Sequence, residues 1–401
     1  MKVFQINCTY NRGSTGKIVY DIERSLLASG HSCAVCYGRG ERCSEPHAYK
    51  TSSEFESKCH ACLTRLFSND LGHSPISTAR ILRHIEAEQP DIVHLHCLNS
   101  HFVNVYRLVE YVRDKSYKTV LTLHGEFMHT GGCGHAFECE KWREECHDCA
   151  RMRGLISRFY RDDARSNFRR MKRAFSGFDS QNIQVVAVSD WLRLRAQASP
   201  ILSGLPLETI HNGVDAHAFR RVDAAAVRAK YELDPERKTI LHVTPSFTNP
   251  IKGGKYVVEC AKKLPQYQFV IVGFNGDKSV LPLNITTIPF TQGKEELAAL
   301  YSCADCTIMT SRRETFSLVS CEALLCGSPV VAFQAGGVEE VIPPTMGECV
   351  ADFSVELMTR AIEKWANTHV DYSLYAQLRE KFSKETMVAR YLQTYQRLLA
   401  Q

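Results

Sequence analysis

The chain has 401 residues, of which 44% are hydrophobic and 23% are charged, and its net charge is +5. This balance is typical of a folded globular protein, and the length favours two domains over a single core. No apolar run is long enough for a transmembrane helix, and the first residues become polar too early for a signal peptide, so a cytoplasmic protein is expected.

Short β-branched runs alternate with amphipathic stretches along the whole chain, a pattern typical of parallel strands joined by helices. In the first half, strands are predicted at residues 3–7, 92–96, 119–123, 184–188 and 207–210. In the second half, strands are predicted at residues 239–244, 268–272, 285–288, 306–309 and 330–332. Helices are predicted at residues 16–29, 254–263 and 294–303, and Ser189 is the predicted N-cap of a helix that begins at Asp190.

This order of elements predicts an α/β protein of two doubly wound, Rossmann-like domains that face a central cleft, with ligands at the carboxyl ends of the strands. The predicted amino-terminal domain covers residues 1–215 and the predicted second domain covers residues 216–383. The linker is placed near residues 212–223, which carry no strong periodicity. Residues 384–401 are expected to form a helix that packs back on the first domain.

The loop after the first predicted strand, residues 11–17, reads NRGSTGK. It is not a phosphate-binding Walker A loop, because Asn11 replaces the first glycine and Ile18 replaces the final Ser or Thr. Gly13 and Gly16 still allow the backbone to approach a ligand closely at the start of a helix. An ordinary strand-to-helix turn is the alternative.

The most informative segment is residues 312–331, which reads RRETFSLVSCEALLCGSPVV. Glu314 precedes an apolar run of helical spacing, Glu322 lies inside it, and Gly327 followed by Pro329 ends the helix. Glu322 can accept hydrogen bonds from the vicinal hydroxyls of a ribose. An ordinary helix with two surface glutamates is the alternative interpretation.

The start of that helix is a predicted diphosphate site. Backbone N–H groups at Phe316, Ser317 and Leu318 would lack partners within the helix, and such groups bind anions. Lys252, in the sequence PIKGGK ahead of another predicted helix, can neutralise the charge of a leaving diphosphate. A solvated surface lysine is the alternative.

Residues 312–331 resemble the donor-binding signature of family 4 glycosyltransferases, which are retaining enzymes of the GT-B fold. The resemblance implies that Glu314 contacts the donor sugar, that Glu322 contacts the ribose, and that Gly13 and Gly16 border the donor and acceptor sites. It extends over nearly the whole chain.

Two further positions match the family. His124, at the end of a predicted strand, would contact the donor sugar, although Gly125 stands where the family often has Asp. Asn212 lies in the sequence HNGVD, which resembles the hinge of the family, and Asn-Gly favours a tight reversal with positive φ beside the nucleotide. The arginine that the family places before the lysine is replaced by the sequence TPS at residues 244–246.

An insertion at residues 130–150 carries four cysteines that could hold a tetrahedral zinc ion. The candidate ligands are Cys133, Cys139, Cys146 and Cys149, with His135 and His147 as further candidates. The cluster resembles one that follows the histidine strand in a subset of exopolysaccharide glycosyltransferases related to the colanic-acid type. Four thiolates leave no open position, so zinc would brace a loop rather than catalyse. A redox pair at Cys146 and Cys149, or no ligand at all, are the alternatives.

Residues 151–175 form a basic amphipathic stretch with nine basic and two acidic residues. Such a helix could dock on an anionic membrane surface, or it could pack in the core with a solvated basic face. RNA binding is less favoured, because no nucleic-acid module accompanies the charge.

The resemblance implies a retaining transferase that moves a sugar from an NDP-sugar donor to a saccharide acceptor and needs no cofactor for catalysis. The acceptor is expected to be lipid-linked, in bacterial-type surface polysaccharide assembly, with the protein in the cytoplasm or on the inner face of the plasma membrane and with no nucleic-acid partner. Three alternatives stay open: a nucleotide-sugar epimerase of the same fold, a transferase for a small soluble acceptor, and a non-catalytic zinc-stabilised interaction protein.

Overall fold

The computed structural model describes residues 1–67, 71–149 and 162–401. Two units can be distinguished in the chain. Unit 1 consists of Met1–Ile210 together with Val388–Gln401, and unit 2 is His211–Met387. The chain therefore leaves unit 1 after Ile210 and returns to it at Val388.

Unit 1 is built on a seven-stranded parallel sheet with the order β3-β2-β1-β4-β5-β6-β7. Its strands are β1 (Lys2–Asn7), β2 (Ser32–Tyr37), β3 (Ala48–Lys50), β4 (Ile92–Leu95), β5 (Lys118–Leu123), β6 (Ile183–Ala187) and β7 (Leu207–Thr209). Its helices include α1 (Gly13–Ala28), α2 (Glu54–Phe67), α3 (Pro75–Glu88), α4 (Val105–Asp114), α5 (Ala164–Phe175) and α6 (Asp190–Gln197). The central strands are buried almost throughout, which is why they are continuous apolar runs rather than alternating ones.

Unit 2 repeats this architecture with a six-stranded parallel sheet in the order β10-β9-β8-β11-β12-β13. Its strands are β8 (Thr239–Val243), β9 (Gln268–Val272), β10 (Ile285–Ile288), β11 (Cys306–Met309), β12 (Val330–Phe333) and β13 (Gly347–Val350). Its helices include α7 (Ala225–Lys230), α8 (Gly254–Lys263), α9 (Lys294–Cys303), α10 (Leu318–Leu325), α11 (Val355–Ala366) and α12 (Tyr375–Phe382). The core on one side of the sheet is formed with α8 and α11, where Val257, Met358 and Trp365 belong to the same buried cluster as Phe333.

The last helix, α13 (Lys384–Leu399), begins in unit 2 and continues into unit 1. Within unit 1, the Tyr395 hydroxyl lies 2.7 Å from Nδ1 of His94 on β4. The Tyr391 hydroxyl lies 3.0 Å from the Thr122 hydroxyl on β5. These buried polar contacts attach the carboxyl-terminal residues to the sheet of unit 1.

The predicted α/β class with two doubly wound parallel sheets is confirmed. The bounds of β9, β10, β11, α8 and α9 agree with the prediction, and Ser189 caps α6 by accepting a hydrogen bond from the Leu192 N–H. Strands β2, β3 and β13 were not predicted.

The basic stretch is described from residue 162 onward, and the rest of it, residues 151–161, lies outside the described residues. The apolar residues of α5, among them Phe168, Met171 and Phe175, are buried in unit 1. The core-packed interpretation is therefore confirmed for α5, whose exposed side is basic. In the part of the chain that is described, no helix is both long enough and apolar enough to cross a bilayer.

Candidate active site

The central feature of unit 2 is an ion pair between Lys252 and Glu314, whose Nζ and Oε1 atoms lie 2.7 Å apart. Lys252 lies in the loop after β8 and Glu314 lies in the loop after β11. These two strands are neighbours at the point where the strand order reverses, and ligands of doubly wound sheets bind at that point. The side chains are 29% and 14% exposed, so both are partly shielded from water. The sequence identified each residue but did not predict their contact.

Backbone contacts hold the lysine loop in place. The Arg312 N–H donates to the Ile251 carbonyl at 2.8 Å, and the Thr310 hydroxyl donates to the Lys252 carbonyl at 3.0 Å. Gly253 follows with φ of +72°, and a Cβ there would lie 2.0 Å from the Thr310 carbonyl oxygen. Only glycine allows this close approach, which sets the position of Lys252 at the end of β11.

Glu314 is held between two strand ends as well. Its N–H donates to the Ala335 carbonyl at 2.8 Å, and its own carbonyl accepts from the Gly337 N–H at 2.9 Å. The carboxylate is therefore attached to a fixed backbone rather than to a free loop.

The helix that follows begins at Leu318, and Ser317 is its N-cap. The Ser317 hydroxyl accepts from the Ser320 N–H at 3.1 Å. Among the described residues, the N–H groups of Phe316, Ser317 and Leu318 have no hydrogen-bond acceptor. They form an anion-binding helix start of the kind the sequence predicted.

Glu322 lies on α10, one turn beyond that helix start, and is partly exposed. The hydroxyl of Tyr301 on α9 donates to its Oε2 at 3.0 Å. Burial, together with the negative charge of Glu322, raises the pKa of Tyr301 well above its usual value, so the tyrosine remains a donor. Tyr301 orients the carboxylate, and the sequence did not identify it.

In unit 1, His124 follows β5 and belongs to a cluster of histidines at the strand ends. Its Nε2 lies 3.3 Å from Nδ1 of His96, whose Nε2 lies 3.0 Å from Oε1 of Gln5. Burial lowers the pKa of His124 to about 4, so the ring is neutral at pH 7. His124 can therefore donate or accept a hydrogen bond, but it does not supply a positive charge. His96 and Gln5 were not identified from the sequence.

Gly13 and Gly16 lie at the start of α1, after β1. Gly13 has φ of +66°, and a Cβ on Gly16 would lie 2.8 Å from Oγ1 of Thr9. The Gly16 carbonyl accepts from the Asn11 N–H at 3.0 Å, so the loop folds tightly onto the helix start. Since β1 and β5 flank β4 in a parallel sheet, these glycines and His124 lie at the same edge of unit 1.

The HNGVD sequence lies at the start of unit 2, and its predicted geometry is wrong. Neither the buried Asn212 nor Gly213 has positive φ. A Cβ on Gly213 would lie 2.5 Å from Cα of Lys384, and Val214 pairs with the backbone of Ser383. Glycine is required here because two backbone segments pass in contact, not because the chain reverses.

Asp215 ends that sequence and is a further residue that the sequence did not single out. Its Oδ2 lies 2.9 Å from Nζ of Lys294 and 3.2 Å from Nζ of Lys384. Burial opposes ionisation, but these two hydrogen bonds outweigh it and lower the pKa of Asp215. The carboxylate joins the starts of α9 and α13 to the first residues of unit 2.

One cavity of unit 1 is lined by Cys133, Cys139, Cys146 and Cys149, and none of them forms a disulfide in the described chain. In the described chain, no three of their sulfurs lie within 4.8 Å of one another.

Polar side chains thus gather at the carboxyl ends of two doubly wound parallel sheets, the arrangement of α/β enzymes that bind nucleotides. The family model "Glycosyltransferase Family 4" matches residues 15–218, and the model "Glycosyl transferases group 1" matches residues 223–386. The chain belongs to the family 4 glycosyltransferases, and it is an enzyme of the transferase class.

Several known proteins are similar over the full length. The protein of Escherichia coli (strain K12) named as a colanic acid biosynthesis glycosyl transferase, WcaC, is 23% identical, with 99% of this chain and 100% of that protein aligned. Sucrose-phosphate synthase of Thermosynechococcus elongatus has a TM-score of 0.70 at 19% identity, covering 100% of this chain and 99% of the other. HepE of Anabaena, solved with UDP-glucose, has a TM-score of 0.64 at 16% identity, covering 98% and 100%. The structural likenesses confirm the GT-B fold.

Proposed function

We propose that this enzyme transfers a hexosyl group from an NDP-sugar to a saccharide acceptor with retention of anomeric configuration, in surface polysaccharide assembly. The observation that carries the proposal is the Lys252–Glu314 pair at the strand reversal of unit 2, next to the unpaired N–H groups that precede α10. The similarity to a protein named for colanic acid biosynthesis, and the UDP-glucose bound to HepE, support the class of donor and of pathway.

In this proposal the donor binds along α10. The diphosphate accepts hydrogen bonds from the N–H groups of Phe316, Ser317 and Leu318, where the helix dipole also favours negative charge. Lys252 contributes a cation within reach of the same phosphates. Glu322, oriented by Tyr301, accepts from the ribose hydroxyls. Glu314 accepts from hydroxyls of the donor sugar.

The reaction proceeds on one face of the sugar. The bond between C1 and the diphosphate oxygen breaks, and the acceptor hydroxyl oxygen forms the new bond to C1 from the same side. The proton of that hydroxyl moves to the departing diphosphate oxygen, so no carboxylate nucleophile is required, unlike in a retaining glycosidase. Lys252 and the helix start stabilise the charge that develops on the diphosphate. Catalysis requires no metal.

The residues of unit 1 act on the transferred sugar and on the acceptor. His124 is neutral at pH 7, so it serves the donor sugar as a hydrogen-bonding group and not as an acid. Gly13 and Gly16 border the ligand at the start of α1, where the space beside Gly13 is open and Gly16 packs against Thr9. The sequence HNGVD, with Asn212, contributes a fixed backbone at the beginning of unit 2.

The proposed acceptor is a saccharide carried on a lipid at an anionic membrane surface. The exposed side of α5 carries Arg165, Arg169, Lys172 and Arg173, while its apolar side is buried. Two of these arginines already pair with Glu145, so docking would depend on the remaining charges and would be sensitive to salt. Co-sedimentation with vesicles of anionic lipid is expected at low salt, and wild-type binding by a K172E/R173E variant would contradict this docking surface.

The function is tested first by a thermal-shift screen with UDP, GDP, ADP and TDP and their common sugars. A ligand that binds only the native state raises the melting temperature, so stabilisation by one nucleotide series is expected and identifies the base. The matching NDP-sugar is then incubated with and without saccharide acceptors, and the anomeric configuration of the product is determined by NMR. Epimerisation of the donor without an acceptor would favour an epimerase, and no stabilisation by any nucleotide would contradict a transferase.

A further inference from the structure

The segment after β5 encloses a cavity in unit 1 that the transferase reaction does not use. We name residues 130–149 the cysteine loop. The cavity has a volume of about 320 Å³, and its lining includes all four cysteines of the loop together with Trp142 and Ala164. Cys146 is buried, the other three are partly exposed, and none of the four forms a disulfide in the described chain. Four cysteines, whose sulfurs are soft ligands, therefore border one cavity.

The backbone at three of these cysteines is held by specific hydrogen bonds. The Cys133 N–H donates to Oγ1 of Thr130 at 2.9 Å, and the Thr130 hydroxyl donates to the Cys133 carbonyl at 3.2 Å. The Cys139 carbonyl accepts from Nε1 of the buried Trp142 at 2.7 Å. The Cys149 N–H donates to Oδ2 of Asp162 at 2.6 Å. Hydrogen bonds therefore fix the backbone at three of the four cysteines that line the cavity.

The fourth cysteine has a hydrogen bond to its sulfur. The Gly131 N–H donates to Sγ of Cys146 at 3.2 Å. A Cβ on Gly131 would lie 2.7 Å from the Ala164 carbonyl oxygen and 3.0 Å from Cβ of Cys146, so only glycine fits between them. In metal-bound thiolates, backbone N–H groups often donate to the sulfur, and these hydrogen bonds orient the ligand and offset its charge.

The last two cysteines form a C-x2-C turn, and the ammonium group of Lys141 binds to backbone carbonyls of that turn. Asp148 has φ of +42°, and Nζ of Lys141 donates to the carbonyls of His147 and Asp148, both at 3.2 Å. Lys141 also lines the cavity. A positive charge at this position favours a tetrathiolate zinc centre, which carries two negative charges.

We propose that Cys133, Cys139, Cys146 and Cys149 bind one structural Zn²⁺ ion. Zn–S bonds of about 2.3 Å place sulfurs roughly 3.8 Å apart in a tetrahedron. No three of the sulfurs of the described chain lie within 4.8 Å of one another, so binding draws them inward. A change of χ1 from one staggered rotamer to another moves a cysteine sulfur by roughly 3 Å, so the side chains can approach one another without a change in the backbone.

The consequence of this site is structural and is separate from the proposed transfer reaction. Four thiolates fill the coordination sphere, so the ion has no open position for substrate. The ion instead cross-links the cysteine loop, which follows shortly after His124 at the end of β5. Loss of zinc is therefore expected to loosen unit 1 while the donor-binding residues of unit 2 remain in place.

The test uses the full chain purified under reducing conditions without added metal. Zinc and protein are quantified on the same sample, and about one zinc ion per chain is expected. Chelation is expected to lower the melting temperature, because a metal bound to the native state stabilises it. Replacement of zinc by Co²⁺ is expected to give the sulfur-to-metal charge-transfer absorption of a thiolate site.

Variants assign the ligands. C146S and C149S are expected to lower bound zinc by roughly tenfold or more. C62S is the matched control, because Cys62 is exposed on α2 and lies outside the cysteine loop, and it is expected to retain wild-type zinc. If C146S does not fold, stepwise modification of wild-type thiols with a mercurial reagent provides the same test, since zinc release should follow modification of the loop cysteines.

Three results would overturn the proposal. The first is a wild-type protein that neither contains nor takes up zinc and whose melting temperature does not respond to zinc or chelator. The second is a Cys146–Cys149 disulfide in the purified protein, which would assign the pair to redox chemistry instead. The third is retention of zinc by C146S at the level of C62S, which would contradict the ligand set.

Discussion

Removing the carboxylate of Glu322 is expected to weaken nucleotide binding specifically through the ribose. Glu322 is partly exposed on α10, and Tyr301 donates to its Oε2 at 3.0 Å. In the proposed complex the carboxylate accepts hydrogen bonds from two vicinal hydroxyls. The E322A variant loses both bonds and leaves the buried Tyr301 hydroxyl without this acceptor.

The expected size of the effect follows from the charge and the exposure of the group. A hydrogen bond to a charged group that is shielded from water contributes about 1.5–3 kcal/mol to the binding free energy. Partial exposure of Glu322 lowers this contribution, so the two bonds together are expected to contribute about 2–3 kcal/mol. Since 1.4 kcal/mol corresponds to a tenfold change in affinity, E322A should bind the nucleotide roughly 30- to 150-fold more weakly.

The assay is calorimetric titration with the nucleoside diphosphate identified by thermal shift and with its 2′,3′-dideoxy analogue. Wild type should prefer the hydroxylated ligand by the factor above, and E322A should bind both ligands equally. Y301F keeps the carboxylate and is expected to lose affinity only slightly. E295A removes an exposed carboxylate of α9 with the same change of charge, and is expected to bind as wild type. An E322A variant that still discriminates the two ligands by the wild-type factor would refute the ribose assignment.

Two further predictions concern the charges of unit 2. K252A and E314A should each lower turnover more than donor affinity. Because residues in contact are coupled by about 0.5–3 kcal/mol, the loss of kcat in the double variant should be smaller than the sum of the two single losses. Additive losses in a double-mutant cycle of kcat would contradict a functional pair. D215N should lower stability by about 1 kcal/mol at pH 7. The pKa of Asp215 is lowered in the folded state, so the stability difference between wild type and D215N should be complete above a pH of about 4, the pKa in the unfolded chain. The difference should shrink as the pH falls through the folded-state pKa. A difference in melting temperature that instead grows in acid would contradict this expectation.

Local sequence patterns predicted the central elements well and the edge strands poorly. β9 reads QFVIV, an apolar run with clear ends, and its bounds agree with the prediction. β13 reads GECV, which has little strand character of its own. It becomes a strand because Glu348 pairs in register with Val331 of β12, a partner that the sequence does not identify locally. β2 was missed for a related reason, since its cysteines and alanine obscure the β-branched signal.

The same distinction applies to the candidate site. Glu314 and Glu322 are close in sequence, one in the loop before α10 and the other on it, so their spacing could be recognised from the sequence alone. Lys252 lies 62 residues before Glu314, and their contact depends on β8 and β11 being neighbours in the sheet. Gly213 was interpreted through local turn preferences, but its role comes from the backbone of Lys384, which is remote in sequence and passes beside it.

The Lys252–Glu314 contact also links the two roles that the residues have in the proposed reaction. In the absence of donor, the Lys252 ammonium and the Glu314 carboxylate neutralise each other. This pairing offsets the desolvation free energy of two charges that are partly shielded from water. In the proposed complex, a diphosphate at the start of α10 would carry more negative charge than Glu314 and would compete for Lys252. If the lysine turned to the phosphate, the carboxylate would lose a partner and become a better acceptor for the hydroxyls of the donor sugar. Recognition of the phosphate and of the sugar would then be coupled, and a nucleotide lacking the sugar would leave Glu314 without compensation.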